Sequence, residues 1–219
     1  PYHREPITYE APYLDNLPTA PREKFAANIA AIQKLKEIEQ RVANGGSPAF
    51  EDEQKILAQY TGWGGLSDAF DPNKSTWSNE YSQLKAALSE SEYEAARSST
   101  LTAFYTPATV IHPIYRALER FGVKGGKILE PSMGTGAFLA HGHFGSSDAK
   151  FYGVELDGIT GRISKQLYQK ANIQVTGYEN ALLPDNYFDC VIGNVPFGNF
   201  QVNDPQYNRL HFPIHDYFF

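Results

Sequence analysis

The sequence is poor in cysteine and lacks a long hydrophobic run. Its 219 residues include one cysteine, Cys190, which excludes an internal disulfide framework and a cysteine-cluster zinc site. No segment approaches the ~20 consecutive apolar residues that a membrane-spanning helix requires, and no basic and apolar leader opens the chain. A single thiol fits a reducing compartment, so we expect a cytoplasmic protein.

Positive charge is also scarce. The chain has 19 lysines and arginines against 25 aspartates and glutamates, a formal net charge of −6. This argues against a strongly basic nucleic-acid binder, but not against an enzyme that touches nucleic acid over one small patch. The acidic excess lies in residues 1–100, whereas residues 101–219 hold 10 acids and 9 bases. Any nucleic-acid chemistry is therefore expected in the second half.

The hydrophobic pattern divides the chain into three parts. Residues 1–20 contain several prolines and no regular period, which predicts an extended arm. Residues 21–100 have apolar side chains every three or four positions, which predicts a small all-helical domain with helices over 21–42, 49–60, 80–88 and 90–97. Residues 101–219 alternate helices (106–121, capped by Thr106, and 158–171) with strands (127–130, 151–156, 173–176 and 188–193). That alternation predicts an α/β domain with a parallel sheet.

A glycine turn follows the first predicted strand. The strand at 127–130 leads into Gly134-Thr135-Gly136 and then into a helix. At the carboxyl end of a parallel strand, glycines let a ligand approach the backbone. The segment lacks the Lys-Ser/Thr of a phosphate-binding loop and the third glycine of a dinucleotide fingerprint. Taken alone, it fits a plain tight turn better than a nucleotide site.

An acidic residue ends the next predicted strand. Glu155 lies about twenty positions after the turn, where a carboxylate can accept both hydroxyls of a ribose. Without a third glycine, the combination favours a nucleoside whose sulfonium and amino-acid end replaces a pyrophosphate. The sequence therefore predicts S-adenosylmethionine as the cofactor.

The fourth strand leads into an Asn-x-Pro-aromatic segment, which resembles the catalytic motif of amino-group methyltransferases. Together with the upstream segments and residues 104–107 (Phe-Tyr-Thr-Pro), it makes the chain resemble class I S-adenosylmethionine-dependent DNA adenine-N6 methyltransferases. The resemblance implies a Rossmann-like sheet, of which this chain holds about four parallel strands. The resemblance also implies that the catalytic residues are Asn194, Val195, Pro196 and Phe197. A strand-ending turn is the plainer interpretation of this segment.

The resemblance also implies a mechanism. The side-chain oxygen of Asn194 and the backbone carbonyl of Val195 would accept the N–H bonds of a flipped adenine, which would stack on Phe197. The family usually has proline in place of Val195, but valine keeps the carbonyl and Pro196 favours its extended conformation. No metal is required, because positioning supplies most of the acceleration. The pair His141 and His143 offers too few ligands for a metal site.

The same resemblance assigns the cofactor site. It implies cofactor contacts from Tyr105, Thr106, Pro107, Glu130, Pro131, Gly134, Gly136, Glu155 and Leu156. After the third strand, either Glu179 or Asn180 would contact the adenine of the cofactor.

The flanking segments resemble the N-terminal part of methylase–helicase fusion proteins of phages, plasmids and conjugative elements. Residues 60–66 (Tyr-Thr-Gly-Trp-Gly-Gly-Leu) and 92–97 (Glu-Tyr-Glu-Ala-Ala-Arg) carry this likeness, which covers roughly residues 22–219 and implies that a superfamily 2 helicase follows. A complete domain of this class has seven strands, and the chain starts at Pro1. We therefore expect residues 101–219 to be the N-terminal half of a methyltransferase domain.

Two other interpretations stay open. The chain could be a non-catalytic cofactor-binding or nucleic-acid-associated assembly module. It could also methylate a glutamine amide in protein, since those enzymes use a closely similar Asn-Pro-Pro-aromatic motif.

We expect the 219-residue chain to bind duplex DNA weakly and to self-associate. Its acidic helical part repels phosphate, so binding should stay within ~10⁻⁴–10⁻⁶ M and weaken steeply with salt. An unpaired fourth strand and the aromatic tail Tyr217-Phe218-Phe219 favour association. A salt-titrated gel shift and light scattering test both points. A monodisperse monomer with nanomolar, sequence-selective DNA binding would contradict them.

Overall fold

The computed structural model describes residues 5–9, 17–100, 106–142 and 148–218. Tyr105 and His143 lie outside these ranges. The helical region consists of α1 (Pro21–Ala43), α2 (Glu51–Leu57), α3 (Ser78–Ala87) and α4 (Glu90–Ser99). The elements that follow are α5 (Ala108–Arg120), β1 (Gly126–Glu130), α6 (Ala137–Ala140), β2 (Ala149–Glu155), α7 (Gly158–Leu167), β3 (Asn172–Val175), β4 (Cys190–Val191) and α8 (Ile214–Tyr217).

The strands of the described residues form one parallel sheet in the order β3-β2-β1-β4. β1 lies inside the sheet, paired with β2 from Gly126↔Ala149 to Glu130↔Gly153. All four strands run in the same direction, so their carboxyl ends meet at one edge. The α/β class expected from the sequence is confirmed. β4 is an edge strand with Val191 half exposed, and self-association through it stays a prediction.

The boundaries of α1 follow from its sequence. Pro21 opens the helix, because its fixed φ suits the first helical position. The helix ends before Gly45, whose φ of +83° continues no helix. Between these points Phe25, Ile32 and Leu35 lie on the buried face at helical spacing.

Two helices are shorter than the sequence predicts. α2 begins at Glu51 and not at residue 49, because the Ala49 N–H donates to Gln166 Oε1 (3.0 Å) and the Ala49 carbonyl accepts from Gln169 Nε2 (2.8 Å). α7 ends at Leu167 and not near residue 171. The carbonyl oxygen of Leu167 accepts instead from the N–H of Tyr9 (2.7 Å). Partners distant in sequence therefore set the start of α2 and the end of α7.

The prediction that Thr106 caps α5 is wrong. The capping position is Pro107, with φ −73° and ψ 153°, and no side chain caps the helix. Because the backbone of Pro107 is extended, the helix begins one residue later than the sequence predicts, at Ala108. β4 is also shorter than predicted, although the N–H groups of Asp189 and Ile192 still donate to β1 carbonyls at 2.9 Å.

One hydrophobic core joins the helical region to α7. Its buried residues include Phe25, Ile32, Leu35, Leu57, Ile159, Ile163 and Leu167. A second core packs α5 against β1 through Ile111, Tyr115 and Ile128. The helices therefore pack directly on the sheet domain, and a domain boundary near residue 100 stays a prediction. No helix in the described part of the chain is long and apolar enough for a membrane span.

An ion network links the same two regions. Arg162 of α7 donates to Glu39 (2.8 Å) and to Glu92 (2.9 Å), and Lys36 donates to Glu92 at 3.0 Å. Burial opposes ionisation of Glu92, but bonds from the Ser89 N–H, Lys36 and Arg162 lower its pKa to about 2. The Glu92 carboxylate is therefore a charged link between α1, α4 and α7.

We predict that Arg162→Gln lowers the free energy of unfolding by about 1.5–3 kcal/mol at pH 7, the range for hydrogen bonds to charged groups. The exposed pair Lys74–Asp68 (3.5 Å) provides a control, since Lys74→Gln should cost less than about 1 kcal/mol. Because the folded-state pKa of Glu92 is depressed, its contribution exists above about pH 4.5 and is lost as the pH falls toward 2. Urea unfolding across this range measures the difference, and a pH-independent difference would contradict the assignment.

Candidate functional site

The turn that follows β1 is built by two glycines. Gly134 has φ +54° and Gly136 has φ +77°, in the left-handed region that side chains disfavour. The Gly136 N–H donates to the Met133 carbonyl (2.8 Å), and Gly136 caps α6. The Met133 N–H donates to the Val154 carbonyl at 2.9 Å, which ties the turn to β2. The predicted turn therefore forms at the carboxyl edge of the sheet.

Glu155, the last residue of β2, points at this turn. Its Oε2 accepts from the Gly134 N–H (2.7 Å), and its Oε1 accepts from the Asp157 N–H (2.8 Å). Burial raises the pKa of Glu155 to about 7, against the lowering effect of these two bonds. The carboxyl group is thus poised between its neutral and charged forms near neutral pH.

Glu130, the last residue of β1, is a second buried acid. Its side chain is almost inaccessible, and among the described residues its Oε2 has no hydrogen-bond partner. Burial, and secondarily the charge of Glu155, raises the pKa of Glu130 well above its ordinary value. A buried polar atom without a partner is costly in a folded protein, so Glu130 is a candidate ligand group.

The loop after β4 lies against this acid. A Cβ atom added at Gly193 would be 3.3 Å from Glu130 Cγ, so the backbone passes close to the carboxyl side chain. The Ser132 hydroxyl donates to the Asn194 carbonyl at 3.1 Å. Val195 is buried, whereas Phe197 is 68% exposed. The structure thereby brings the glycine turn, both acids and the Asn194 loop to one edge of the sheet.

The other predicted site residues differ in their relation to this group. The Leu156 side chain is exposed, whereas its backbone N–H bonds to the Glu155 carboxyl group. Glu179 and Asn180 are exposed and contact each other, with Asn180 Nδ2 donating to Glu179 Oε1 at 2.9 Å. Thr106 and Pro107 precede α5, and in the described residues neither has a hydrogen bond with the glycine turn. Their cofactor roles stay predictions.

Sequence reasoning missed two residues that organise the site. Ser132 links the turn to the Asn194 loop, and no local pattern identifies it. Asp157 caps α7 by accepting from the Thr160 N–H (2.7 Å) while its own N–H holds Glu155. An Asp three residues before a Thr at a helix start is a readable cap signal.

The carboxyl oxygens of Glu130 and Glu155 are hydrogen-bond acceptors that fit a ligand with a positive charge and vicinal hydroxyls. The unpartnered oxygen of Glu130 can accept a hydrogen bond, and a nearby cation would favour its ionised form. The Glu155 carboxyl lies beside backbone that carries no side chain at Gly134. A sulfonium nucleoside with an amino group and a ribose combines these features. By contrast, no group of three possible metal ligands occurs in the described ranges, although His112 Nε2 lies 3.1 Å from His141 Nδ1.

Comparisons with known proteins identify a methylase family and two relatives. The family model described as N-6 DNA Methylase matches residues 90–213. The chain is 28% identical over 198 residues to the Defense against restriction protein B of Escherichia phage P1, covering 90% of this chain and 7% of that protein. It is 33% identical over 95 residues to the Modification methylase CviBIII of Paramecium bursaria Chlorella virus NC1A, covering 43% of this chain and 25% of that protein. The chain thus spans a small part of each relative.

Two solved structures resemble parts of the chain. One is described as an S-adenosyl-L-methionine-dependent methyltransferase from Methanococcus maripaludis, 22% identical with a TM-score of 0.32, covering 39% of this chain and 42% of that chain. The other is a TehB-like SAM-dependent methyltransferase from Corynebacterium glutamicum, 23% identical with a TM-score of 0.30, covering 36% and 42%. Each covers less than half of this chain.

We predict that affinity for S-adenosylhomocysteine rises between pH 6 and pH 8. An ionised Glu155 accepts stronger hydrogen bonds from ribose hydroxyls than a neutral one, and its pKa of about 7 places the change in this window. Calorimetry should show a gain of up to about tenfold per pH unit below that pKa. Glu155→Gln should bind more weakly at pH 8 and show a flat profile. An unchanged slope in this variant would remove Glu155 from the site.

Proposed function

Because the chain belongs to the N-6 DNA methylase family, we propose that it transfers the methyl group of S-adenosylmethionine to the N6 amine of adenine in DNA. S-adenosylmethionine is the cofactor that this family implies. The activity, and its setting in a longer protein, are proposals, since the chain spans 7% and 25% of the two relatives. The observation that carries the proposal is the hydrogen bond from Ser132 to Asn194, which joins the Asn194 loop to the glycine turn.

The cofactor would be held by the two acids and the glycine turn. Glu155 would accept from the ribose hydroxyls, and Gly134 and Gly136 would let the methionine end pass close to the backbone. Glu130 would offer its unpartnered oxygen to the positively charged end. When bound, the cofactor supplies an electrophilic methyl group on a sulfonium sulfur.

The Asn194 loop would hold the adenine amine. In the described residues neither the Asn194 side chain nor the Val195 carbonyl has a hydrogen-bond partner, so both acceptors are available. Two acceptors would draw the N–H bonds of the amine and favour a tetrahedral nitrogen, whose lone pair would attack the methyl group directly. The carbon–sulfur bond would break to release S-adenosylhomocysteine, and the methylated nitrogen would lose one of its protons to water. Pro196 favours an extended Val195 and so aims its carbonyl. Such preorganised positioning is a major source of catalysis.

The adenine must leave the duplex to reach this loop. Phe197, 68% exposed beside the two acceptors, offers a ring face for the flipped base. A methyl group on N6 alters the major-groove edge that proteins use to recognise adenine. This consequence agrees with relatives whose names refer to modification and to defence against restriction.

We predict that Asn194→Ala, in the protein as it is encoded, lowers methyl transfer by at least about 100-fold, the scale for losing one preorganised group. Affinity for S-adenosylhomocysteine should stay within about twofold, because the amide acts on the adenine amine and not on the cofactor. Mass spectrometry of N6-methyladenine in treated DNA, with calorimetry, measures both quantities.

Val195→Pro provides the matched variant. It keeps the backbone carbonyl, so it should retain methyl transfer, and an inactive proline variant would contradict the role given to that carbonyl. Cofactor binding without methylation of DNA by the wild type would favour the assembly-module interpretation. Methylation of a glutamine amide in protein would favour the third interpretation.

A further inference from the structure

Two buried hydroxyl groups near the end of α7 support the glycine turn. The Ser164 hydroxyl donates to the Gly134 carbonyl, and the Tyr168 hydroxyl donates to the Thr135 carbonyl, both at 3.1 Å. Both side chains are almost fully buried. Burial raises the pKa of Tyr168 well above its ordinary value, so the phenol stays a donor. The turn therefore depends on α7 as well as on the strands.

The ring of Tyr168 also sets the path of the turn. A Cβ atom added at Gly136 would overlap the ring edge of Tyr168. The backbone at Gly136 thus rests directly on the aromatic ring, and only glycine allows this approach. The hydroxyl and the ring together fix the two residues that follow Gly134.

Segments distant in sequence hold Tyr168 in place. The N–H of Tyr9 donates to the Leu167 carbonyl (2.7 Å), and the N–H of Gln169 donates to the Ile7 carbonyl (3.2 Å). Gln54 Nε2 donates to the Leu167 carbonyl as well, at 3.1 Å. Tyr168 lies between these anchored residues and pairs with residue 8 in an isolated antiparallel bridge.

We propose that Tyr168 is a positioning residue for the cofactor turn, held against it by residues 5–9 and by α2. It acts through the backbone at 134–136 and does not contact the reacting atoms. The proposal rests on the cofactor site assigned above. It gives the N-terminal region a part in cofactor binding, because that region fixes the residue on which the turn rests.

The test is Tyr168→Phe, which keeps the ring and removes one hydroxyl. Tyr93→Phe is the matched control, because Tyr93 is also buried and donates to a backbone carbonyl (Phe70, 3.2 Å) within the helical region. Calorimetry should show that Tyr168→Phe weakens S-adenosylhomocysteine binding by about fivefold or more, the scale of one lost hydrogen bond. The control should stay within about twofold of wild type at a similar thermal midpoint.

A second measurement does not depend on the cofactor. Hydrogen exchange of the peptide that spans residues 132–138 should be faster in Tyr168→Phe than in wild type and unchanged in Tyr93→Phe. Ser164→Ala, which removes the other bond to the turn, should act in the same direction.

The outcomes separate the two proposals. Wild-type affinity and exchange in Tyr168→Phe would overturn the positioning role while leaving the cofactor site intact. Equal losses of affinity in Tyr168→Phe and Tyr93→Phe would also overturn it, since they would show a general loss of stability. Failure of the wild type to bind S-adenosylhomocysteine would overturn both the site and the role.

Discussion

Parallel pairing of β1 with neighbours on both sides is the constraint from which the site follows. β1 pairs with β2 through Leu129↔Tyr152 and with β4 through Leu129↔Val191. Because the strands run in the same direction, the residues that follow each of them emerge at one edge. The glycine turn, Glu155 and the Asn194 loop come from three separate stretches of sequence and meet for this reason. The hydrogen bond between Ser132 and Asn194 closes that arrangement.

The features that the sequence predicts are mainly those with a local signal. The turn at Gly134 and Gly136 and the acid Glu155 can be found because glycine after a strand, and a carboxylate at the next strand end, have local physical meanings. The sequence could not reveal where α2 begins and where α7 ends, because hydrogen bonds across more than one hundred residues decide both boundaries. Thr106 is not the helix cap because Pro107, which the sequence places in the first turn, is itself extended, so that α5 begins one residue later.

Two acids at adjoining strand ends give the site its electrostatic character. Burial raises the pKa of both Glu130 and Glu155, and the charge of Glu155 adds to the effect on Glu130. Such groups lower the stability of a fold, because a desolvated carboxyl is less favourable than a solvated one. Positions that violate the rules of stable packing in this way are commonly functional. The position of the acid pair beside the glycine turn therefore agrees with the ligand-binding role proposed for both.

The bond between Ile7 and Gln169 joins residues 162 positions apart in sequence. Contacts of this separation raise the contact order of a chain, and their loop-closure entropy must be overcome before they contribute any stability. During synthesis, residues 5–9 precede α7 by about 150 positions, so their backbone hydrogen bonds to its end cannot form until residues 167–169 have left the ribosome. The contacts that hold Tyr168 against the glycine turn therefore depend on the completion of α7, so the docking of residues 5–9 and the maturation of the proposed cofactor site are linked in time as well as in space.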